Sequence, residues 1–387
     1  MINKKIKIAV VTGSRADYGL LKPILKIINK DPFFELQLVV TGSHLLKRFG
    51  YTIKEIIDDG FKVTTRIITN NNKDNLDLLN NMGTLTKKFS KTFDNLKPNI
   101  LLILGDRYEI FVAAQAAFIL KVKIAHIHGG ELTQGAVDDV FRHMITKMSH
   151  LHFVTNDDYR KRVIQLGEDP KRVFNFGAPA IESLKKFLEK RKLKNLDCKN
   201  IKKLFLITFH PETMSQNENI CAIKNLLEAL SFFEDTTMIF TYPNQDPDNT
   251  IIINLIEKFV KKSVSKRKIY KSLGQNAYWD LMIKADVVIG NSSSAIIEAP
   301  FLKIPTVNIG DRQTGRIKAS SIIDTKVNTK SIRNGISTAL TQEFRKKLNK
   351  TISFHGNGEV SKNIIKQLKK RLPIFNKKFY DIYHDKL

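Results

Sequence analysis

Ile6-Lys7-Ile8-Ala9-Val10-Val11 runs directly into Thr12-Gly13-Ser14-Arg15-Ala16-Asp17, and a stretch of helical length follows. A short apolar run that ends in a Gly/Ser turn and reopens as an amphipathic helix is the opening of a βαβ unit. Lysines ahead of the run give it the outline of a signal peptide. The run is too short for one and enters a polar turn instead of a cleavage site, so we expect the first buried strand of a cytoplasmic protein. The pattern recurs downstream. Leu36–Val40, Ile100–Leu104, Val122–Ile127 and His152–Thr155 are further strand-like runs, with helical patterns at Tyr108–Leu120 and Asp157–Gly167. After a lysine-rich stretch, Lys185–Lys203, the same alternation resumes with Leu204–Thr208, Met238–Tyr242, Val287–Ile289 and Thr306–Ile309, and a helical pattern at Asn219–Phe233. This predicts an α/β protein of two similar parallel-sheet halves facing a cleft, residues 1–180 and 181–365, joined near Lys185–Lys203. The basic, amphipathic end, 366–387, is expected to pack as a helix against one half.

Composition narrows the classes. A chain of 387 residues with 42% hydrophobic side chains buries a substantial core, which excludes disorder as the main state. Two cysteines, Cys198 and Cys221, exclude a disulfide-stapled fold. No run of about 18 apolar residues exists to span a bilayer. The net charge of +26 invites a nucleic-acid or membrane reading. Lysine outnumbers arginine about threefold, however, and the lysines are spread along the whole chain. Even the dense C-terminal group, Arg345, Lys346, Lys347, Lys369, Lys370 and Arg371, reads as a solvated helix face. The expected partner is an anionic small molecule, not a nucleic acid or a membrane.

What ends each run carries the function. The carboxyl ends read Thr41-Gly42-Ser43-His44, Gly105-Asp106-Arg107, His126-Ile127-His128-Gly129-Gly130-Glu131, Phe209-His210-Pro211-Glu212, Tyr242-Pro243-Asn244, Gly290-Asn291-Ser292-Ser293-Ser294 and Gly310-Asp311-Arg312-Gln313. Ligands of open parallel sheets bind at that edge. Ser292, Ser293 and Ser294 precede the helical run Ala295–Pro300, an arrangement suited to a diphosphate. Glu298, one turn on, is placed to accept ribose hydroxyls, and Arg15 and Arg312 supply planar donors for phosphate. Neither G-x-G-x-x-G nor G-x-x-x-x-G-K-[ST] occurs, so NAD and P-loop nucleotide chemistry lose support and no cofactor is expected. Asp106, Glu131, Asp138 and Asp139 are the acid–base candidates. His126 and His128 alternate on one strand, so a metal site with Asp106 or Glu131 has to be weighed against a hydrogen-bonded core histidine. We expect no metal. His143, His150 and His152 read as structural.

Taken together, VTGSRADYGLL, VTGSH, LGDRYEIF, HIHGGE, the Asp-Asp-x-x-Arg-His of Asp138–His143, FHPET, GNSSSAIIEAP and NIGDRQTGR resemble the hydrolysing UDP-N-acetylglucosamine 2-epimerases of sialic-acid-type sugar synthesis nearly end to end. The resemblance implies two Rossmann-like domains of the glycosyltransferase-B type, a C-terminal helix crossing back to the first, and a homodimer or homotetramer. It implies UDP held by Arg15, Asn244, Ser292, Ser293, Glu298 and Arg312, with Asp106, Glu131, Asp138, Asp139 and His210 about the sugar and leaving group. Some relatives carry Glu where this chain has His128, which leaves the base for the C2 proton open. The reaction implied converts UDP-N-acetylglucosamine and water to N-acetylmannosamine and UDP through a glycal. The alternatives are the same reaction on a di-N-acetylated 6-deoxy sugar, or a two-domain glycosyltransferase.

Overall fold

The computed structural model describes residues 5–70, 74–133, 137–191, 203–211, 216–243, 249–263, 266–371 and 377–382. The chain forms two compact units, one of residues 1–131, 138–183 and 356–387, the other of residues 132–137 and 184–355. In the first unit the strands are β1 (Ile6–Thr12), β2 (Phe34–Thr41), β3 (Val63–Ile67), β4 (Ile100–Leu104), β5 (Lys123–Ile127), β6 (Leu151–Val154) and β7 (Val173–Asn175). The second contains β8 (Leu204–Thr208), β9 (Thr237–Thr241), β10 (Arg267–Tyr270), β11 (Val287–Gly290), β12 (Thr306–Ile309) and β13 (Ile322–Thr325). The sheet orders are β3-β2-β1-β4-β5-β6-β7 and β10-β9-β8-β11-β12-β13, with every pair parallel. Both are Rossmann-like, and each reverses direction once, between β1 and β4 and between β8 and β11.

The sheets are parallel because both faces of the central strands are apolar. Ile8, Val10, Leu38, Val40, Ile100 and Leu102 pack on one side with Leu21, Leu25 and Ile28 of the helix Arg15–Lys30. The alternate residues Ala9, Val11, Val39, Leu101 and Ile103 pack on the other, with Leu85, Phe89 and Phe93 of the helix Asn75–Leu96. A strand buried on both faces needs a crossover helix on each side, which the intervening amphipathic stretches supply. Phe205, Ile207, Val287 and Ile289 against Leu204, Leu206 and Val288 repeat this division in the second unit.

Two boundaries differ from expectation. Lys185–Arg191 is the end of a helix, Pro179–Arg191, and the unit boundary falls within it; residues 192–202 of the anticipated joint lie outside the described residues. Phe187 packs on Trp279 (5.5 Å between ring centres) and Arg191 pairs with Asp280 at 3.0 Å, so these lysines line an anchored helix. The chain rejoins the first unit at Gly356, ahead of residue 366. There the helix Val360–Arg371 buries Val360, Ile364, Ile365 and Leu368 in the core beside Leu21 and Leu25, and Lys369 pairs with Asp31 at 2.6 Å. No described helix is long and apolar enough to cross a membrane.

Candidate functional site

At the first unit's switch point, β4 delivers Asp106, and β5 delivers His128 and Glu131 by the turn Gly129-Gly130. Gly130 has φ +78°, and a Cβ there would lie 2.5 Å from the Tyr159 carbonyl oxygen, so only glycine permits this turn. The helix Val137–Met148 places Asp138 and Asp139 in its first turn, where its dipole favours negative charge. One side chain gathers the group, and the sequence reading assigned it no role. Arg142, only 4% exposed as a side chain, donates from Nη2 to Asp106 Oδ2 and from Nη1 to both Asp139 Oδ1 (2.9 Å) and the Glu131 carbonyl (2.8 Å). Burial works against its charge, while Asp106, Glu131 and Asp139 hold the guanidinium ionised more firmly than usual. The Asp139/Arg142 spacing of one helical turn was a visible signal. The Asp106/Arg142 pair, distant in sequence, was not.

His128 Nδ1 lies 2.5 Å from Glu131 Oε1, and both side chains are buried. His126 occupies a different position. Its Nε2 donates to the Gly105 carbonyl at 2.8 Å, and burial drops it to about 3, so it is a neutral core histidine. That ring nitrogen is therefore engaged by the backbone. Among the described residues no group of three His, Cys, Asp or Glu side chains is placed to hold a metal ion. His152 bonds Glu168 (3.0 Å), which also takes Lys147 and Lys377, and His143 faces Asp139 at 3.5 Å. A second cluster went unassigned from sequence: Asp17 and Glu109, both buried beside Gly13. Burial pushes the Asp17 carboxyl up to about 6 against the pull of Arg107. Arg15 begins the helix after β1 and pairs with Glu55 at 3.0 Å, 41% exposed.

The second unit carries the anion loop at its own switch point. Gly290 has φ +133°, and a Cβ would meet the Thr208 carbonyl oxygen at 1.9 Å, which brings the ends of β8 and β11 together. Asn291, fully buried, bonds the His210 backbone in both directions (2.7 and 2.9 Å), and its carbonyl accepts from Arg312 Nη1 (3.2 Å) and Gln313 Nε2 (2.8 Å). His210, Arg312 and the serine turn are thus one assembly. His210 is held well below the ordinary histidine range by burial and, secondarily, by Arg312. Ser292 is the N-cap residue of the helix Ser293–Phe301, yet its side chain makes no capping bond; Oγ instead meets Ser294 Oγ at 3.1 Å, which in turn meets the Tyr278 hydroxyl at 2.8 Å. The Ala295 N–H turns back to the Ser292 carbonyl (3.2 Å), so the Ser293 and Ser294 N–H groups are the ones a ligand at this turn would meet. Asn244 lies outside the described residues.

Glu298, half-buried, accepts from Trp279 Nε1 at 2.7 Å, and burial of its carboxyl raises it to about 7. The unfolded chain then ionises this group first as pH rises, so its contribution to stability is full below about 4.5 and is lost on passing up through 7. Glu298→Gln should accordingly gain stability over the parent protein between these values, by at most about 3 kcal/mol, with the difference constant above pH 8. Urea unfolding of both proteins across pH 4–8 measures it; a difference that shrinks with rising pH contradicts the assignment.

Comparisons with known proteins follow the same lines. Residues 26–369 match the family model described as UDP-N-acetylglucosamine 2-epimerase. The chain is 43% identical over 328 residues to a GDP/UDP-N,N'-diacetylbacillosamine 2-epimerase (hydrolyzing) of Campylobacter jejuni, covering 84% of this chain and 85% of that one. It is 36% identical over 381 residues to polysialic acid biosynthesis protein P7 of Escherichia coli, covering 97% of each. The crystal structure of a UDP-GlcNAc 2-epimerase from Neisseria meningitidis bound to UDP-GlcNAc superposes with a TM-score of 0.82 at 19% identity, over 94% of this chain and 100% of that one, which supports a fold of the glycosyltransferase-B type. The matched length, the identity to these relatives and the loaded strand ends agree: this chain belongs to the UDP-N-acetylglucosamine 2-epimerase family.

Proposed function

We propose that the protein is a hydrolysing 2-epimerase of a UDP-linked 2-acetamido sugar, converting UDP-N-acetylglucosamine and water to N-acetylmannosamine and UDP. The observation that carries the reading is the Arg142 hub, which collects Asp106, Asp139 and the Glu131 backbone at one sheet edge with the His128–Glu131 pair beside it. Carbon 2 of the sugar has no adjacent carbonyl and is not acidic. The proton becomes removable as the C1–O bond breaks and its electron pair leaves with UDP; the C2–H pair then forms the C1=C2 bond of a glycal. Water adds at C1 while a proton returns to C2 from the other face. Two proton-transferring groups are needed, each worth about 10²–10⁴-fold, and the first unit supplies them. We assign UDP to Arg15, Asn244, Ser292, Ser293, Glu298 and Arg312, and the sugar and leaving group to Asp138 and His210 together with Asp106, Glu131 and Asp139. Preorganised donors at a leaving diphosphate lower the barrier electrostatically. The reading takes the enzyme to be a cytoplasmic homo-oligomer that needs neither metal nor cofactor.

Ser292→Ala and Ser293→Ala should each weaken UDP binding by about 1.5–3 kcal/mol, the scale of a hydrogen bond to a charged group. Calorimetry showing unaltered affinity in both would remove UDP from this loop. A second substrate is favoured by a specific observation, since the 43%-identical relative and another at 32% identity both bear the name diacetylbacillosamine 2-epimerase. Side-by-side incubation with UDP-N-acetylglucosamine and UDP-N,N'-diacetylbacillosamine, with products identified by NMR, tests the reading. Free UDP and a 2-epimerised free sugar from either supports it, and the larger kcat/KM names the substrate. A reversible mixture of two UDP-sugars contradicts it.

A further inference from the structure

Five non-glycine residues among those described adopt positive φ, and His128, at +70°, is the buried one. Asn and His enter this conformation more readily than other side chains, but a buried residue held there is over-determined by its surroundings. Those surroundings fix the ring. A carboxylate can only accept, so the 2.5 Å contact puts the proton on His128 Nδ1, donated to Glu131 Oε1. Nε2 then presents a lone pair, and this buried nitrogen has no hydrogen-bond partner among the described residues. A buried polar atom without a partner requires an explanation. Glu131 is pinned in turn: Thr155 Oγ1 lies 3.5 Å from Oε1, and its carbonyl accepts from the same guanidinium that holds Asp106 and Asp139.

We infer that His128 Nε2 is the base that takes the C2 proton, and that Glu131 is a positioning residue that orients the ring and balances the imidazolium. The inference rests on the hydrolysing-epimerase reading. In the elimination the C1–O pair leaves with UDP, the C2–H pair becomes the C1=C2 bond, and the proton is bound at Nε2. Nothing else is oxidised, reduced or transferred. The arrangement follows the logic by which a buried carboxylate sets the tautomer of a catalytic histidine. The charged groups tied to the pair are Arg142, Asp106 and Asp139, whose net contribution is one negative charge, and His126, which burial keeps neutral.

The test uses the full-length protein. His128→Asn keeps a residue tolerant of positive φ. It should lower kcat at least tenfold, on the 10²–10⁴-fold scale, with UDP affinity within threefold of the parent. The acidic limb of the parent's pH profile for kcat/KM should be missing from the residual activity. Glu131→Gln should retain that limb and move it to lower pH, because the imidazolium loses its counter-charge; a structural role alone would not move it. If His128→Asn does not fold, as shown by loss of UDP binding, the shift in Glu131→Gln decides the matter. More than a tenth of parental kcat in His128→Asn, or an unmoved limb in Glu131→Gln, overturns the inference. A parent protein that releases UDP from neither sugar nucleotide overturns the functional reading, and the inference falls with it.

Discussion

Arg142→Met is expected to destabilise the first unit by about 3–5 kcal/mol and to abolish turnover, because it strands Asp106 and Asp139 without the cation that holds them. The side chain is buried and serves three acceptors, so the loss is not the small one of an exposed ion pair. Arg142→Lys sharpens the point. It keeps the charge but replaces a planar fork with a single ammonium, which cannot meet Asp106, Asp139 and the Glu131 carbonyl at once. We expect Lys to restore part of the stability and little of the activity. Urea unfolding combined with a UDP-release assay measures both. An Arg142→Met protein as stable as the parent would mean that the hub is not a structural unit.

Asp106→Asn separates chemistry from nucleotide binding. The substitution preserves shape, removes the negative charge facing Arg142, and lies in the unit that does not carry the serine loop. Turnover should fall by about 10²–10⁴-fold, while the affinity for UDP changes by less than threefold. Single-turnover kinetics with direct UDP titration distinguish the two terms. Near-parental turnover would transfer the role to Asp138 or Asp139; a parallel loss of UDP affinity would place Asp106 among the nucleotide contacts.

The nine strands legible in the sequence are the buried ones, and the four that were missed sit at the sheet edges. β3, β7, β10 and β13 close the two sheets. Their residues alternate or trail off in exposure, as in Arg267–Tyr270, whereas Ile100–Leu104 is buried throughout. An edge strand has only one neighbour, so it carries charged and polar side chains that no search for apolar runs detects. The site followed a similar division. Turn chemistry after each strand exposed Asp106, Glu131, Ser292 and Arg312, because a parallel sheet fixes what its carboxyl edge must present. Arg142 and Asp17 escaped because their importance lies in partners brought near by folding: Arg142 meets Asp106 across 36 residues of sequence. His126 and His128 looked equivalent as alternate residues of one strand. The fold separates them, giving the first to the Gly105 carbonyl and the second to Glu131.

Heavy water tests the central claim most directly. UDP-N-acetylglucosamine, or its diacetylated counterpart if that is the better substrate, is turned over in deuterium oxide and the products are read by NMR and mass spectrometry. Elimination and rehydration with solvent-exchanged acid–base groups predict free UDP and a free 2-epimerised sugar with one deuterium at carbon 2. The same reaction in oxygen-18 water should place label at carbon 1 and none in UDP, since the bond that breaks is between the sugar carbon and oxygen. Free sugar of unchanged configuration without deuterium at carbon 2, or oxygen-18 in the phosphate, would contradict the account.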